Sequence, residues 1–222
     1  MIDPKIETAV EAALQAFSRY NSFDATPLTA KFKDVFASDA DFMRKVQLMD
    51  DVFDDNPKLE NLREVFFDLL MINFFSADVK KLEEDYLETR EWEEIEEQTL
   101  DRGTELLNLL LYLNECEDED IEPELEDYLK EFLLVDEDEF QDEHRIYEPV
   151  IENQILMESP VAEIGRVANE LPEDSEIKEI FYPMMCYFQN AASGDYEKEE
   201  IAKSSVNKDF DMPVLEILIN FN

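Results

Sequence analysis

The side chains of this chain that could do chemistry are almost all carboxylates. Asp and Glu account for 58 of 222 residues, and a single histidine, His144, stands among them. Zinc sites and nucleophilic dyads most often need imidazole, which ligates metal and exchanges its proton near neutral pH. One histidine excludes a HExxH zinc helix, and it excludes a di-iron bundle of the usual kind, which takes two Glu-x-x-His motifs. Gln141, not Glu, stands three residues before His144, and Glu143 and Arg145 flank it, so a solvated helix position is expected. From Glu115 onward, acids fall at positions one, three and five of a calcium loop (Glu115, Glu117, Glu119), with Glu126 at position twelve. Position six is Asp120, where an EF-hand needs Gly for its sharp turn, so no specific calcium site is expected. Close carboxylate pairs carry no information at this density. A working acid or base would need a desolvated carboxyl in a pocket. Gly103, Gly165 and Gly194 are isolated, so no phosphate-cradling loop and no GxSxG turn is present. The expectation is a non-enzymatic protein with no catalytic residue, no metal site and no cofactor.

What the carboxylates do offer is a field. Against 58 acids stand 19 Lys and Arg, giving a formal net charge of −39 at pH 7. Free nucleic acid and anionic membranes are repelled by such a surface, and basic proteins are attracted. The acids are densest at Glu91, Glu93, Glu94, Glu96 and Glu97, at Glu117, Asp118, Glu119 and Asp120, and at Asp136, Glu137, Asp138 and Glu139. Together with Trp92, these form the expected partner-binding surface. Trp92 could anchor a basic partner within that acidic face. Its spacing to Ile95 and Thr99 equally suits the buried stripe of a solvated helix. The expected function is an acidic helical interaction module that docks a basic protein. The alternative is a decoy, or immunity-type inhibitor, that imitates nucleic-acid charge to occupy a nucleic-acid-binding protein. A carboxylate-based enzyme is the third reading. Oligomeric state is not legible.

These side chains must be carried by something folded. High charge with low hydropathy marks disorder, but 45% of the chain is hydrophobic, with sixteen Phe, eight Tyr, eight Met and only three Gly. Helix signals dominate. Capping residues precede proline at Asp3-Pro4, Thr26-Pro27, Asn56-Pro57 and Ser159-Pro160, each followed by an apolar period near 3.6. The first stripe is Ile6, Val10, Ala13, Leu14 and Phe17. Helices are expected over 4–20, 27–37, 39–54, 57–76, 79–98, 101–114, 123–134, 137–157, 160–170, 175–192, 195–204 and 213–220. In the last, Leu215, Ile217 and Ile219 alternate as a strand would, yet the segment follows helix after helix. Blocks of like charge at 115–120 and 136–139 are the poorest candidates for regular structure.

Asp41-Phe42-Met43, Asp85-Tyr86-Leu87 and Asp127-Tyr128-Leu129 recur at intervals of 44 and 42. Each precedes a more apolar helix, the mark of stacked hairpins. The expected fold is one all-α domain over 1–222, built from antiparallel helical hairpins. These form either an α-solenoid-like array or an irregular multi-helix bundle, with a soft boundary at 115–122. The longest apolar runs, Val65 to Phe75 and Leu106 to Leu113, fall short of the ~20 residues a membrane span needs. Two cysteines, Cys116 and Cys186, are too few for a disulfide framework, and no basic, apolar leader opens the chain. A cytoplasmic location is expected.

Overall fold

A computed structural model describes residues 2–77, 89–132, 139–189 and 194–221, without the side chains of 77, 131, 132, 139–144, 195 and 196. Twelve α-helices and no strand form among the described residues. They are α1 (Pro4–Tyr20), α2 (Thr29–Ala37), α3 (Phe42–Asp54), α4 (Arg63–Ala77), α5 (Arg90–Thr99) and α6 (Leu106–Asp118), followed by α7 (Leu125–Asp127), α8 (Glu139–Glu152), α9 (Val161–Glu170), α10 (Lys178–Phe188), α11 (Asp195–Ser204) and α12 (Lys208–Phe221). The single turn of α7 runs into a π-helical turn, Tyr128–Phe132. The protein is all-α, as its periodicity predicts, and among the described residues no helix is long and apolar enough to cross a membrane.

Local chemistry sets several of the starts. Asp3 caps α1, accepting from the Lys5 N–H at 2.9 Å, and Pro4 takes the first position. Asp41 caps α3 through the Arg44 N–H at 2.9 Å, and Thr89 caps α5 through the Trp92 N–H at 3.3 Å. Thr26-Pro27 and Asn56-Pro57 depart from expectation. Both prolines open 3₁₀ segments, Thr26–Leu28 and Pro57–Leu62, and neither segment has a side-chain cap. A proline at the start fits either helix type, since it lacks only an N–H that would be orphaned anyway. A third 3₁₀ segment, Gln154–Glu158, takes the end of the helix expected over 137–157. The start expected at Pro213 is displaced more severely. Pro213 lies inside α12, as Pro149 lies inside α8 and Pro183 inside α10.

The dominant packing joins the two ends of the chain, with α1 lying along α12. From α1 come Ile6, Val10, Leu14 and Phe17, with Ala9, Ala13 and Ala16 between them letting the helices approach. From α12 come Met212, Val214, Leu215, Ile217, Leu218 and Phe221, all buried. Each large apolar side chain so buried contributes about 1.5–3 kcal/mol, so this pair stabilises the fold more than any local hairpin. Helix α12 also packs on α10, α1 on α2 and α4, and α4 on α6. Phe32, Phe53 and Phe66 interlock beside them with ring centroids 4.6–5.5 Å apart. An open array would hold first and last helices apart, because each repeat touches only its neighbours. The α1–α12 contact makes this a closed bundle.

The recurring Asp-aromatic pairs have no common structural place. Asp41 caps a helix, whereas Asp127 ends the single turn of α7. Asp85 lies outside the described residues, as do the start of the helix expected over 79–98 and the segment 133–138.

Regular structure extends into the acidic stretch 115–122. Helix α6 continues to Asp118 because its apolar stripe, Leu109, Leu113 and Cys116, stays buried through the acid block. Asp120 then adopts φ 55°, and the Ile121 and Asp120 N–H groups return to the Cys116 and Glu117 carbonyls at 2.9 and 3.1 Å. This is a Schellman cap, with Asp in the left-handed position glycine usually takes.

Candidate functional site

Of the acids expected to meet a partner, those on α5 lie as the helix period dictates. Glu91, Glu93, Glu94, Glu96 and Glu97 are exposed, while Ile95 and Thr99 are buried. Trp92 lies half-buried on the inner side, its ring 5.5 Å from Phe75 and stacked 6.4 Å from Phe74. The indole therefore belongs to the stripe that holds α5 down. Arg90 donates to Glu94 at 3.0 Å, and Glu91, Glu93, Glu96 and Glu97 have no ion pair among the described residues. At the end of α6, Glu117 pairs with Lys5, while Asp118, Glu119 and Asp120 are exposed and unpaired among the described residues. Asp136, Glu137 and Asp138 lie outside the described residues, and Glu139 opens α8 with its side chain not described. The expected surface is thus carried by separate elements, α5 and the end of α6.

Several basic residues are engaged by the protein's own acids. Lys33 bridges Glu7 and Glu11 at 2.9 and 3.3 Å. Arg166 holds Glu163 and Glu170, and Lys198 holds Glu216 at 2.7 Å. Arg63 gathers Asp50, Asp54 and Glu60 while its guanidinium lies over the Phe53 ring. Arg102 grips Glu64 through Nε and Asp50 through both terminal nitrogens, above Phe67. Pairing of this kind neutralises each lysine or arginine on the protein itself.

Beside Arg102 the chain turns through Gly103, at φ 87°, where a Cβ would meet Asp68 Oδ1 at 2.6 Å. The Gly103 N–H donates to Glu64 at 2.8 Å, and the Thr104 N–H reaches both Asp68 oxygens at 3.1 Å. Asp68 is fully buried, and desolvation pushes its carboxyl well above the usual range against the pull of Thr104. Its work is to clamp the start of α6 to α4. A second buried polar chain links Tyr128 to Tyr147 at 2.7 Å and Tyr147 to Glu105 at 2.8 Å.

A desolvated carboxyl beside a cavity occurs elsewhere, where no local pattern marks it. The α9–α10 loop and the α11–α12 loop enclose a cavity of about 570 Å³. Glu173, Asp174 and Glu176 line it from the first loop, Glu179 from α10 and Asp211 from α12. Its apolar wall is Ala168, Tyr182, Val206 and Phe210. The close approach of α9 to α11 fixes one side: a Cβ on Gly165 would lie 2.4 Å from the Ser204 carbonyl oxygen. Lys178 is its one basic residue and is engaged, donating to Glu173 at 2.6 Å and to the Leu171 carbonyl at 2.9 Å. Asp211 is 6% exposed, and its Oδ2 accepts from Ser205 Oγ at 2.6 Å and from the Asn207 N–H at 3.4 Å. Burial, with Asp209 nearby, pushes its carboxyl up to about 6. Glu179 lies exposed at the rim, yet the crowding walls and Glu64 raise its carboxyl too. Among 58 acids nothing local sets these two apart, except that Asp211 interrupts an apolar run between Phe210 and Met212.

Among the described residues no group of three or more His, Cys, Asp or Glu is arranged to hold a metal ion. The His144 side chain lies outside the described residues. No family model, no curated protein and no solved structure matches the chain.

Proposed function

We propose that this protein is a non-catalytic acidic interaction module whose surface docks a basic protein. The observation that carries this reading is how charge is distributed. Lys5, Lys33, Arg63, Arg102, Arg166, Lys178 and Lys198 are held in ion pairs within the fold, while Glu91, Glu93, Glu96 and Glu97 on α5 and Asp118, Glu119 and Asp120 at the end of α6 are left unpaired among the described residues. A surface paired this way keeps its attractive field for an outside cation, which speeds encounter more than it adds affinity. Free nucleic acid and anionic lipid are disfavoured by the same field.

The test compares the protein with a quadruple variant, Glu91→Gln, Glu93→Gln, Glu96→Gln and Glu97→Gln, as bait in native lysate at about 50 and about 300 mM salt. A basic protein retained by the wild type at the higher salt and lost by the variant supports the proposal. A retained partner that itself binds nucleic acid directs it toward a charge-mimicking decoy. Equal capture by both baits, or complete loss from both at the higher salt, refutes it.

A further inference from the structure

The cavity at the α9–α10 and α11–α12 loops combines four features that point to one ligand chemistry. The first is net charge. Five carboxylates line it against one lysine already committed to Glu173, which leaves four formal negative charges. The N-termini of α10 and α12, near the same walls, offset about half a charge each, so the space stays strongly anionic. The second is an acceptor without a donor. Asp211 is 94% buried by its 6% exposure, and its Oδ2 takes both hydrogen bonds. Both hydrogen bonds to the carboxyl end on Oδ2, so Oδ1, on a side chain that lines the cavity, takes none among the described residues.

The third feature is the apolar wall. Phe210 is 2% exposed, and the Tyr182 ring is fixed by its hydroxyl donating to the Ile201 carbonyl at 2.7 Å. Val206, at 71% exposure, stands at the mouth where an alkyl chain would lie. The fourth is the absence, among the described residues, of three converging acids that a metal ion would need. Acids spaced around an apolar wall suit a cation carried on carbon, and aromatic faces add attraction to it. A volume of about 570 Å³ falls within the small-ligand range of about 300–1,000 Å³.

We propose that this cavity binds an alkylammonium or alkylguanidinium group, the charged end meeting Asp211 and Glu179 and the carbon chain lying on Tyr182, Phe210 and Val206. The group can come from a free amine or from a lysine or arginine side chain of another protein. The proposal goes beyond docking at α5 and stands independently of it.

The experiment is a ¹H–¹⁵N NMR titration of the full chain at about pH 8 and about 150 mM salt. The probes are 1-aminobutane and butylguanidine, with 1-butanol and butyrate as neutral and anionic counterparts, and acetyl-Gly-Arg-Gly-amide for the side-chain source. Saturable shifts should gather at Asn169, Glu179, Val206 and Asn207, with butanol and butyrate at least tenfold weaker. A charge-assisted hydrogen bond of ordinary strength implies a loss of about tenfold or more for Glu179→Gln and for Asp211→Asn. Val206→Arg, which sets a cation at the mouth, should abolish saturation, and the double variant Glu96→Gln, Glu97→Gln should change nothing. Tighter binding of the peptide than of the amines assigns the site to a partner's side chain, and the reverse assigns it to a free amine. Shifts spread over the whole surface, equal binding of butanol, or an undiminished Glu179→Gln would overturn the proposal. Glu179 lies at the rim, so that variant tests the site even if Asp211→Asn perturbs the fold.

Discussion

Replacing Asp211 by Asn should stabilise the protein at pH 8 and change it little at pH 4. The carboxyl shifts from an ordinary 3.8 to about 6 in the folded state, chiefly because burial disfavours the charged form. The groups facing it do not compensate. Ser205 and Asn207 favour the carboxylate, but Asp209 on the same helix opposes it, and Tyr182, Cys186 and Glu179 on α10 supply no positive charge. Lys178 is held by Glu173. A shift of about two pH units corresponds to about 3 kcal/mol. The sign follows from proton counting. Well below pH 4 both folded and unfolded chains hold the proton, and the group is neutral in the balance. Between about 4 and 6 the unfolded chain releases it first, so stability falls as pH rises. Above about 6 the whole decrement is present. An Asn side chain keeps an oxygen for Ser205 and Asn207 and carries no charge to desolvate. Urea denaturation at five pH values from 4 to 8, at constant ionic strength, should show the two midpoints coinciding in acid. They should diverge by about 1 M at pH 8, taking a slope of about 2–3 kcal/mol per molar. Every other titrating group is common to both proteins and cancels in the difference. A difference independent of pH, or a variant weaker at pH 8, would show that Asp211 is solvated or paired and that this reasoning is wrong.

Gly103→Ala should cost about 1–3 kcal/mol, from the left-handed φ and the 2.6 Å approach to Asp68, measured as the loss in urea midpoint with unchanged helicity. Tyr147→Phe deprives Tyr128 and Glu105 of their shared partner and should cost about 1–3 kcal/mol; calorimetry finding no change would mean water takes its place. Melting temperature should rise between about 20 and about 300 mM NaCl, because screening relaxes repulsion among unpaired acids faster than it weakens the partly buried Arg63 and Arg102 clusters. A steady fall with salt would mean that the ion pairs outweigh the repulsion.

Helix is a local decision, and much of it is legible in the order of residues. Asp3 and Asp41 cap where their side chains can reach the next N–H groups, and the stripe Ile6, Val10, Leu14 and Phe17 faces inward as its period requires. Trp92, Ile95 and Thr99 follow the same rule. Periodicity fails where a helix is enclosed. Helix α12 is buried on most sides and keeps only a narrow polar stripe, Asp209, Glu216 and Asn220, so little sets its phase locally, and Pro213 marks its interior instead of its start. Charge density misleads at 115–120, where repulsion between neighbours is weaker than the burial of Leu113 and Cys116 one turn beneath.

From sequence alone came an all-α chain, a strongly negative surface and the face that α5 turns outward, because each depends on composition or on residues within a turn of one another. Tertiary structure alone decided that α1 and α12 close the bundle, and that Asp68 and Asp211 are the acids buried among the described residues. Only the packing of segments well apart in the chain, such as the Gly103–Thr104 turn on α4 and α10 beside α12, determines which carboxyl loses its water. Desolvation then gives otherwise identical Asp side chains different proton affinities and different roles.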